Sequence, residues 1–349
     1  MFAEVHKLCV VVFNSLATHN TTGCFESPDF SLLRLFFKNV CDIIMLAFLG
    51  DGIMAKTFGV DERRIKAIIS VGTTFNFRGK RYTVLKSGKP TCHNGEPKTD
   101  IYVLAETDNS TCEFKISYKK DNADFIENKM NAERAELLLG SDWKNLITNS
   151  TSKIKSAFSS KPLIYKIKKG RTDKGAFTLG WKFELLNKSN GDFSAKINLT
   201  RNQIIDVYAG TNLPKEKRNA LVNGEVIENS GIANYVLFGN DFSDIDSIFE
   251  NLMTVEEYIE KYPDVYFACK ALNYRSARKK WDGDRPLSVF VDWSTKNGKL
   301  TSKLIFDQPL ITKGNAVAHK LIDALNELGI QTDEDINPDN VADYSTVAE

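Results

Sequence analysis

Two acidic residues and a lysine between residues 95 and 120 have types and spacing suited to metal-assisted hydrolysis of a phosphodiester. Asp100 precedes an apolar run, and Glu113 and Lys115 belong to a second run in which polar and apolar residues alternate. Carboxylate oxygens suit Mg²⁺, and few protein ligands suffice because this ion keeps several of its waters. A lysine beside the ion can orient an attacking water or stabilise charge on phosphorus. We therefore predict a Mg²⁺ site, at which Mn²⁺ would substitute, with Glu96 as a candidate further ligand.

A hairpin of two strands would position these residues. Residues 101–104 predict the first strand and residues 112–118 the second, with polar, turn-favouring residues between them. Alternation places Glu113 and Lys115 on one face of the second strand. The opposite face then carries Cys112, Phe114 and Ile116. We expect Asp100, at the mouth of the first strand, to lie beside Glu113 and Lys115. The alternative is a surface strand on which these charges are solvated neighbours.

Length and charge distribution indicate a large globular chain with two basic regions. The 349 residues suit one large domain or two ordinary ones, and 42% hydrophobic with 26% charged residues is typical of a soluble protein. The formal net charge is +1, but residues 112–175 carry fourteen Lys/Arg against eight Asp/Glu, and residues 265–315 carry ten against four. Residues 331–349 carry six acids and no base. Two basic regions favour a polyanionic partner, although ordinary solvated faces would give the same counts.

The order of predicted elements divides the chain into three parts and indicates an α/β (α+β) fold. Residues 1–150 predict a helical N-terminal part and a core with two hairpins. The helices of this part are predicted over residues 2–18, 27–49, 61–70, 123–139 and 142–147. Residues 151–330 predict a strand-rich, basic region, which either is separate or packs as one unit with the core. Residues 331–349 predict an acidic, disordered tail.

Cysteine and hydropathy patterns indicate the cellular setting. The six cysteines are scattered without a CxxC pair, which favours free thiols in a reducing compartment. Cys92-His93 alone is a weak zinc signal. The apolar stretch 36–49 contains Lys38 and Asp42, and it is too short and too charged to span a bilayer. No secretory signal is evident. We expect a cytoplasmic protein without a membrane partner.

The motif in residues 95–120 resembles that of a known nuclease superfamily. Pro97-Lys98-Thr99-Asp100 followed by Glu113-Phe114-Lys115 is similar to the pattern of the PD-(D/E)xK nucleases, and of type II restriction endonucleases in particular. The resemblance covers roughly residues 95–140. It departs from the strict pattern, because two residues separate the proline from Asp100.

The resemblance implies roles for individual residues and a fold. By it, Asp100 and Glu113 ligate Mg²⁺, and Lys115 is the catalytic lysine. It also implies an acid from an upstream helix, for which Glu62 is a candidate. The implied fold is a restriction-endonuclease-like core, in which a mixed central sheet is flanked by helices.

Basic residues outside the motif predict contacts with DNA phosphates. They fall near the motif, within residues 166–174, and within residues 275–285, where Tyr274 and Trp281 are interleaved. For any one of them, solvated surface charge is the alternative. The candidates are Lys98, Lys119, Lys120, Lys129, Lys168, Lys169, Arg171, Arg275, Arg278, Lys279 and Lys280.

Motif and charge together predict a Mg²⁺-dependent endodeoxyribonuclease that hydrolyses phosphodiester bonds of double-stranded DNA, sequence-specifically as restriction enzymes do. A homodimer is expected, because cutting both strands calls for two active sites. One alternative is a repair, recombination or phage nuclease that recognises DNA structure or modification. Another is a non-catalytic DNA-binding protein with a nuclease-like fold. A third is an α/β protein in which the motif arose by chance.

Overall fold

The computed structural model describes residues 58–93, 95–120 and 125–349. The helices predicted over residues 2–18 and 27–49 lie outside the described residues. Residues Gly59–Glu349 form one compact unit. Within the described part of the chain, no helix is long and apolar enough to cross a bilayer.

Strands and helices alternate along the described chain, which makes the fold mixed α and β. The strands are β1 Thr74–Phe77, β2 Lys80–Gly88, β3 Ile101–Thr107, β4 Ser110–Lys119, β5 Phe125–Glu127, β6 Ile164–Tyr165, β7 Ala176–Leu186, β8 Ser194–Ile197, β9 Leu221–Val222, β10 Glu225–Val226, β11 Tyr235–Phe238, β12 Leu252–Thr254, β13 Val265–Arg275, β14 Lys280–Trp281, β15 Val289–Lys296, β16 Lys299–Ile305 and β17 Val347–Ala348. The α-helices are α1 Phe58–Ile68, α2 Ala132–Leu139, α3 Trp143–Lys153, α4 Lys155–Ser159, α5 Arg201–Ala209, α6 Lys215–Arg218, α7 Ile245–Glu250, α8 Val255–Lys261 and α9 Gly314–Glu327. Short 3₁₀ turns occupy Ser276–Arg278, Asp333–Asp335 and Tyr344–Thr346.

The first sheet contains the hairpin that the motif predicts. Its strand order is β1-β2-β3-β4-β11-β12. β11 runs parallel to β4, whereas the other neighbours are antiparallel, so the sheet is mixed. Alternation buries Phe75 and Phe114 on one face, where they pack against Phe249 of α7. Ile65 of α1 joins the same apolar cluster. The burial of Phe114 and Ile116 confirms the predicted faces of β4.

The second sheet forms the larger core. Its main order is β14-β13-β7-β15-β16, and the short strands β5, β6 and β8 join it at β7 and β13. Trp181, Phe183, Phe267 and Trp293 are each about 1% exposed or less and anchor its apolar cluster. Helix α9 packs against β15 and β7.

The boundary predicted near residue 150 is absent. Helix α3 runs through it from Trp143 to Lys153. In addition, β5 on the N-terminal side pairs with β7 on the C-terminal side, with Glu127 opposite Leu185. The regions on either side of residue 150 therefore share one unit, as the sequence allowed.

Two further predictions differ from the structure. The helix expected over residues 123–139 begins only at Ala132, where the Asn131 side chain accepts a hydrogen bond from the Arg134 backbone, because β5 occupies the residues before it. The disordered tail expected over residues 331–349 is wrong. That segment packs on the second sheet, where β17 pairs with β6 and Ile336 is fully buried.

Candidate active site

The register of the β3–β4 hairpin fixes what faces Asp100. Ile101 pairs with Ile116, and the Asp100 backbone amide donates to the Ile116 carbonyl at 2.8 Å. Continuing the register by one residue puts Asp100 opposite Ser117. The segment before Asp100 is held by the Gly231 carbonyl, which accepts from the backbone amides of Lys98 at 3.0 Å and Thr99 at 3.3 Å.

Lys119, and not Lys115, meets Asp100. Lys119 lies two residues beyond Ser117 on the same face of β4, which makes it a diagonal neighbour of Asp100. Its ammonium lies 3.3 Å from Asp100 Oδ2 and donates to the Tyr118 carbonyl at 2.9 Å. The Tyr118 backbone amide also donates to Asp100 Oδ2, at 2.8 Å. A cation is thus held between a carboxylate oxygen and a carbonyl oxygen at the end of the hairpin.

Glu113 lies apart from Asp100, so the prediction that these two carboxylates share one site is wrong, and Lys115 pairs with Glu113 and not with Asp100. Glu113 pairs with Leu104, four residues along β4 from the position opposite Asp100. At roughly 3.4 Å per residue this is a separation of about 14 Å along the strand, too far for one ion to bridge both carboxylates. Glu113 instead accepts a hydrogen bond from the buried Tyr102 hydroxyl and pairs with Lys115 at 3.6 Å.

Two features of the Glu113 group give it a structural role. Burial first, and then the hydrogen bond and charge of Glu113, raise the pKa of Tyr102, so this phenol stays protonated and donating. The Asn234 side chain accepts from the Lys115 backbone amide at 2.7 Å and donates to the Glu113 carbonyl at 2.9 Å. Glu113 and Lys115 therefore lie where β11 joins β4.

Acids of helix α1 reach the hairpin end that carries Asp100. Asp61 pairs with Lys120, the residue after Lys119. Glu62 pairs with Lys89 at 2.6 Å. Burial lowers the pKa of Lys89, but the hydrogen bond to Glu62 and the charges of Glu62, Asp100 and Glu96 outweigh it, so the pKa is raised. Asp61 and Glu62 therefore do not contact Asp100 directly. Each pairs with a lysine, and the lysine paired with Glu62 also feels the charge of Asp100.

A buried ion network lies directly behind the site. The prediction that Lys98 contacts DNA is wrong, because its side chain is only 13% exposed and its ammonium lies 2.8 Å from Glu127. Arg134 bridges Glu127 at 3.3 Å and Asp206 at 2.9 Å. Burial would raise the pKa of Glu127, but the charges and hydrogen bonds of Lys98 and Arg134 hold it below its usual value.

The other basic candidates near the motif are mostly paired. Lys120 is largely buried against Asp61, which removes it from a surface that phosphates could reach. Lys129 is exposed and lies 3.4 Å from Glu96. Glu96 is thus a solvated loop residue beside a lysine.

The two distant basic groups lie side by side in one surface. The Ser276 backbone amide donates to the Gly175 carbonyl at 2.9 Å, which joins the loop before β7 to the turn after β13. Arg275 is half-buried between Asp173 and Asp282, so its charge is neutralised internally. The remaining candidates are exposed, namely Lys168, Lys169, Arg171, Arg278, Lys279 and Lys280. We call these six residues the basic end.

The basic end lies far from the ion network. β7 starts at Ala176 beside the basic end, and Glu127 pairs near its other end at Leu185. Nine residues of strand span about 30 Å at roughly 3.3 Å each. Phosphate contacts at the basic end would therefore be made about 30 Å from the network behind Asp100.

Sequence reasoning did not anticipate that Ser117 lies opposite Asp100 or that Lys119 contacts Asp100. The available signal was the alternation of β4, which continues past Lys115 through Ser117 to Lys119. That alternation places a second lysine on the face of Asp100, and the ion-pair contacts show that Lys119 meets Asp100 while Lys115 meets Glu113. Asp61 carried no comparable signal, since nothing in the spacing of α1 distinguishes it from its neighbours.

Metal-ligand chemistry at the site rests on few protein groups. The described residues contain no cluster of three or more His, Cys, Asp or Glu side chains arranged to hold an ion. The Cys92 sulfur donates to the Gly95 carbonyl at 3.4 Å.

The chain was compared with known proteins at three levels. No protein-family model, curated protein or solved structure matches it.

Proposed function

We propose that the protein is a Mg²⁺-dependent endodeoxyribonuclease of the restriction type, with Asp100 and Lys119 at its active centre. The observation that carries the proposal is the placement of the Lys119 ammonium between Asp100 Oδ2 and the Tyr118 carbonyl. This arrangement retains a carboxylate and a lysine side by side, as the sequence motif predicts, but the lysine is Lys119 and not Lys115. Ser117 takes the place expected for the second acid.

The surrounding fold supports the same proposal. The resemblance to PD-(D/E)xK nucleases implies a mixed sheet flanked by helices, and β4 has antiparallel β3 on one side and parallel β11 on the other. Helix α1 precedes this sheet and brings Asp61 and Glu62 to the site. A restriction-endonuclease-like core accommodates all of these elements.

The groups at the site fit a hard divalent ion. Lys119 acts as a stand-in cation, and the two oxygens that hold it are of the carboxylate and carbonyl kinds that such ions accept. Mg²⁺ would be held by Asp100 and the Tyr118 carbonyl, since this ion is commonly bound by one or two carboxylates together with substrate phosphates. When bound, it would polarise the phosphoryl oxygen and lower the pKa of a water.

The chain's own residues would perform the remaining steps. Lys119, released from Asp100, would place its ammonium against the phosphate and stabilise the negative charge that develops on it. The Tyr118 amide would keep Asp100 oriented through its hydrogen bond to Oδ2. The basic end supports a duplex substrate, because about 30 Å along β7 corresponds to roughly nine base pairs at about 3.4 Å each.

A second candidate function is DNA binding without cleavage. It is favoured by the lack, among the described residues, of three clustered ligating side chains. The two candidates differ in whether Asp100 is needed for a chemical step or only for the shape of the hairpin end.

Cleavage of plasmid DNA distinguishes these functions. We expect the purified protein to cut duplex DNA with Mg²⁺ or Mn²⁺ and not with EDTA, and Asp100→Asn to bind DNA without cutting it. Discrete fragments would support site specificity, whereas cutting confined to branched or modified DNA would support the repair or phage alternative. Binding without cutting by the wild type, on plasmid, genomic and branched DNA alike, would leave the non-catalytic function.

A further inference from the structure

A cavity of about 180 Å³ opens between the segment after β5, the middle of β7 and the residues before β15 and α9. Four basic side chains line it, and Asp284 is the acidic residue among its lining. The four bases are Lys129, Lys182, Arg285 and Lys313. The cavity is therefore positively charged, with room for a phosphate group and part of an attached sugar.

Two of the four bases have acidic partners, and two do not. Lys182 pairs with Glu184, and Lys129 lies 3.4 Å from Glu96. Within the described parts of the chain, no acidic side chain forms an ion pair with Arg285 or Lys313. Asp284 directs its carboxylate to the Asn315 backbone amide at 3.0 Å. Arg285 and Lys313 thus remain to neutralise an anion that enters the cavity.

Backbone contacts hold these two bases next to each other. Pro286 and Lys313 form a β-bridge, and the Gly314 amide donates to the Arg285 carbonyl at 3.0 Å. An arginine fork and a lysine ammonium on adjoining segments suit the oxygens of one phosphate group, which accept both kinds of donor.

The cavity lies next to the proposed active site. Lys129 is two residues from Glu127, whose carboxylate holds the ammonium of Lys98, which is itself two residues before Asp100. Phe183 lines the cavity and lies two residues along β7 from Leu185, the partner of Glu127. Two residues of strand span about 7 Å. A nucleic-acid strand leaving Asp100 would reach the cavity within a few nucleotides.

We propose that this cavity binds a phosphate group of the DNA strand that flanks the scissile phosphate. The inference rests on the proposed function for the identity of its ligand, but the phosphate chemistry of the cavity stands on its own residues. A free nucleotide carries the same chemistry, and the experiment separates the two sources.

The test uses the double variant Arg285→Ala/Lys313→Ala, with Lys296→Ala/Lys303→Ala as its matched control. All four side chains belong to exposed residues, and each variant removes two positive charges. Affinity for a short DNA duplex is measured in EDTA at several salt concentrations. We expect the cavity variant to flatten the slope of log affinity against log salt by about 0.9, because the one phosphate contact made in the cavity is lost. The control should retain the wild-type slope.

A second measurement uses pyrophosphate and a nucleoside monophosphate as probes of thermal stability. We expect both to raise the Tm of the wild type and the control but not that of the cavity variant. If the wild type binds no duplex and these probes still stabilise it through the cavity, the ligand is a free nucleotide and the nuclease proposal fails. If the cavity variant keeps both the wild-type salt slope and the wild-type probe response, the cavity is not a phosphate site, whatever the protein cuts.

Discussion

Replacing Lys119 by alanine tests which lysine of β4, Lys115 or Lys119, serves the proposed reaction. Lys119 and Asp100 are 23% and 21% exposed and lie 3.3 Å apart. At an effective dielectric constant of about 20, their gross attraction is about 5 kcal/mol before desolvation is subtracted. Because both are partly solvated, we expect a net loss of about 1–2 kcal/mol in the free energy of unfolding. The loss in catalysis should be larger, since removing one preorganised charge-stabilising donor typically costs about 10²–10³ in rate.

Lys115→Ala is the matched control. Its side chain is 14% exposed and pairs with Glu113 at 3.6 Å, so the two variants lose a similar lysine from the same strand face. Single-turnover cleavage of a duplex with Mg²⁺ gives the rate, and urea denaturation gives the stability. We expect Lys115→Ala to cut within about threefold of the wild type, a difference under about 0.7 kcal/mol. The reasoning is refuted if Lys115→Ala abolishes cutting while Lys119→Ala stays near the wild-type rate, because Glu113 and Lys115 would then form the active centre.

Three further predictions concern the parts that support the site. Glu127→Gln leaves the buried charges around it unbalanced and should lower the free energy of unfolding by about 3–5 kcal/mol, whereas the exposed Glu136→Gln should not. Because the pKa of Glu127 is depressed in the folded state, its ionised carboxylate contributes fully to the free energy of unfolding above the unfolded pKa of 4.5, and this contribution is lost as pH falls through the folded pKa. In acid denaturation, the stability of Glu127→Gln should therefore depend less on pH below 4.5 than that of the wild type. Gly231→Ala would put a Cβ 1.8 Å from the Lys217 carbonyl, so soluble expression and cleavage should both fall, and an unchanged Tm would contradict this. Ile336→Ala should cost about 2–5 kcal/mol, measured by urea denaturation, whereas a truly disordered segment would show no change.

The faces of the hairpin could be predicted from sequence, but its register could not. Period-two alternation in residues 110–119 decides which side chains share a face, whatever the partner strand does. Pairing depends on the turn. The sequence suggested a bridge of seven residues between strands, whereas Thr107 pairs directly with Ser110 across a two-residue turn. That turn sets Asp100 opposite Ser117, with Lys115 and Lys119 each two residues from Ser117 on the same face, and the ammonium that contacts Asp100 is that of Lys119.

Long-range charge pairing was equally invisible in the sequence. Arg134 and Asp206 are 72 residues apart, and no local pattern distinguishes such a pair from two solvated charges. The same ambiguity affects the acidic C-terminal segment. Its composition predicts disorder, yet Asp335 accepts hydrogen bonds from the Gln331 and Thr332 amides, and Glu334 pairs with Lys174. Acidic side chains that accept backbone hydrogen bonds or form ion pairs stabilise a folded segment, so their number alone does not indicate disorder.

The ion network behind Asp100 bears on whether this protein could be rebuilt from interchangeable parts. A binding region joined to a cutting region by a loose linker can be exchanged for another with little loss. Here Lys98 belongs to the segment that enters the first sheet, Glu127 to a strand of the second, and Asp206 to helix α5. A chimera that replaced the second sheet would remove Glu127 and leave the buried Lys98, two residues before Asp100, without its acidic partner. Changing the DNA specificity of the proposed nuclease would therefore require substitutions in loops on an intact framework, and not the exchange of one sheet for another.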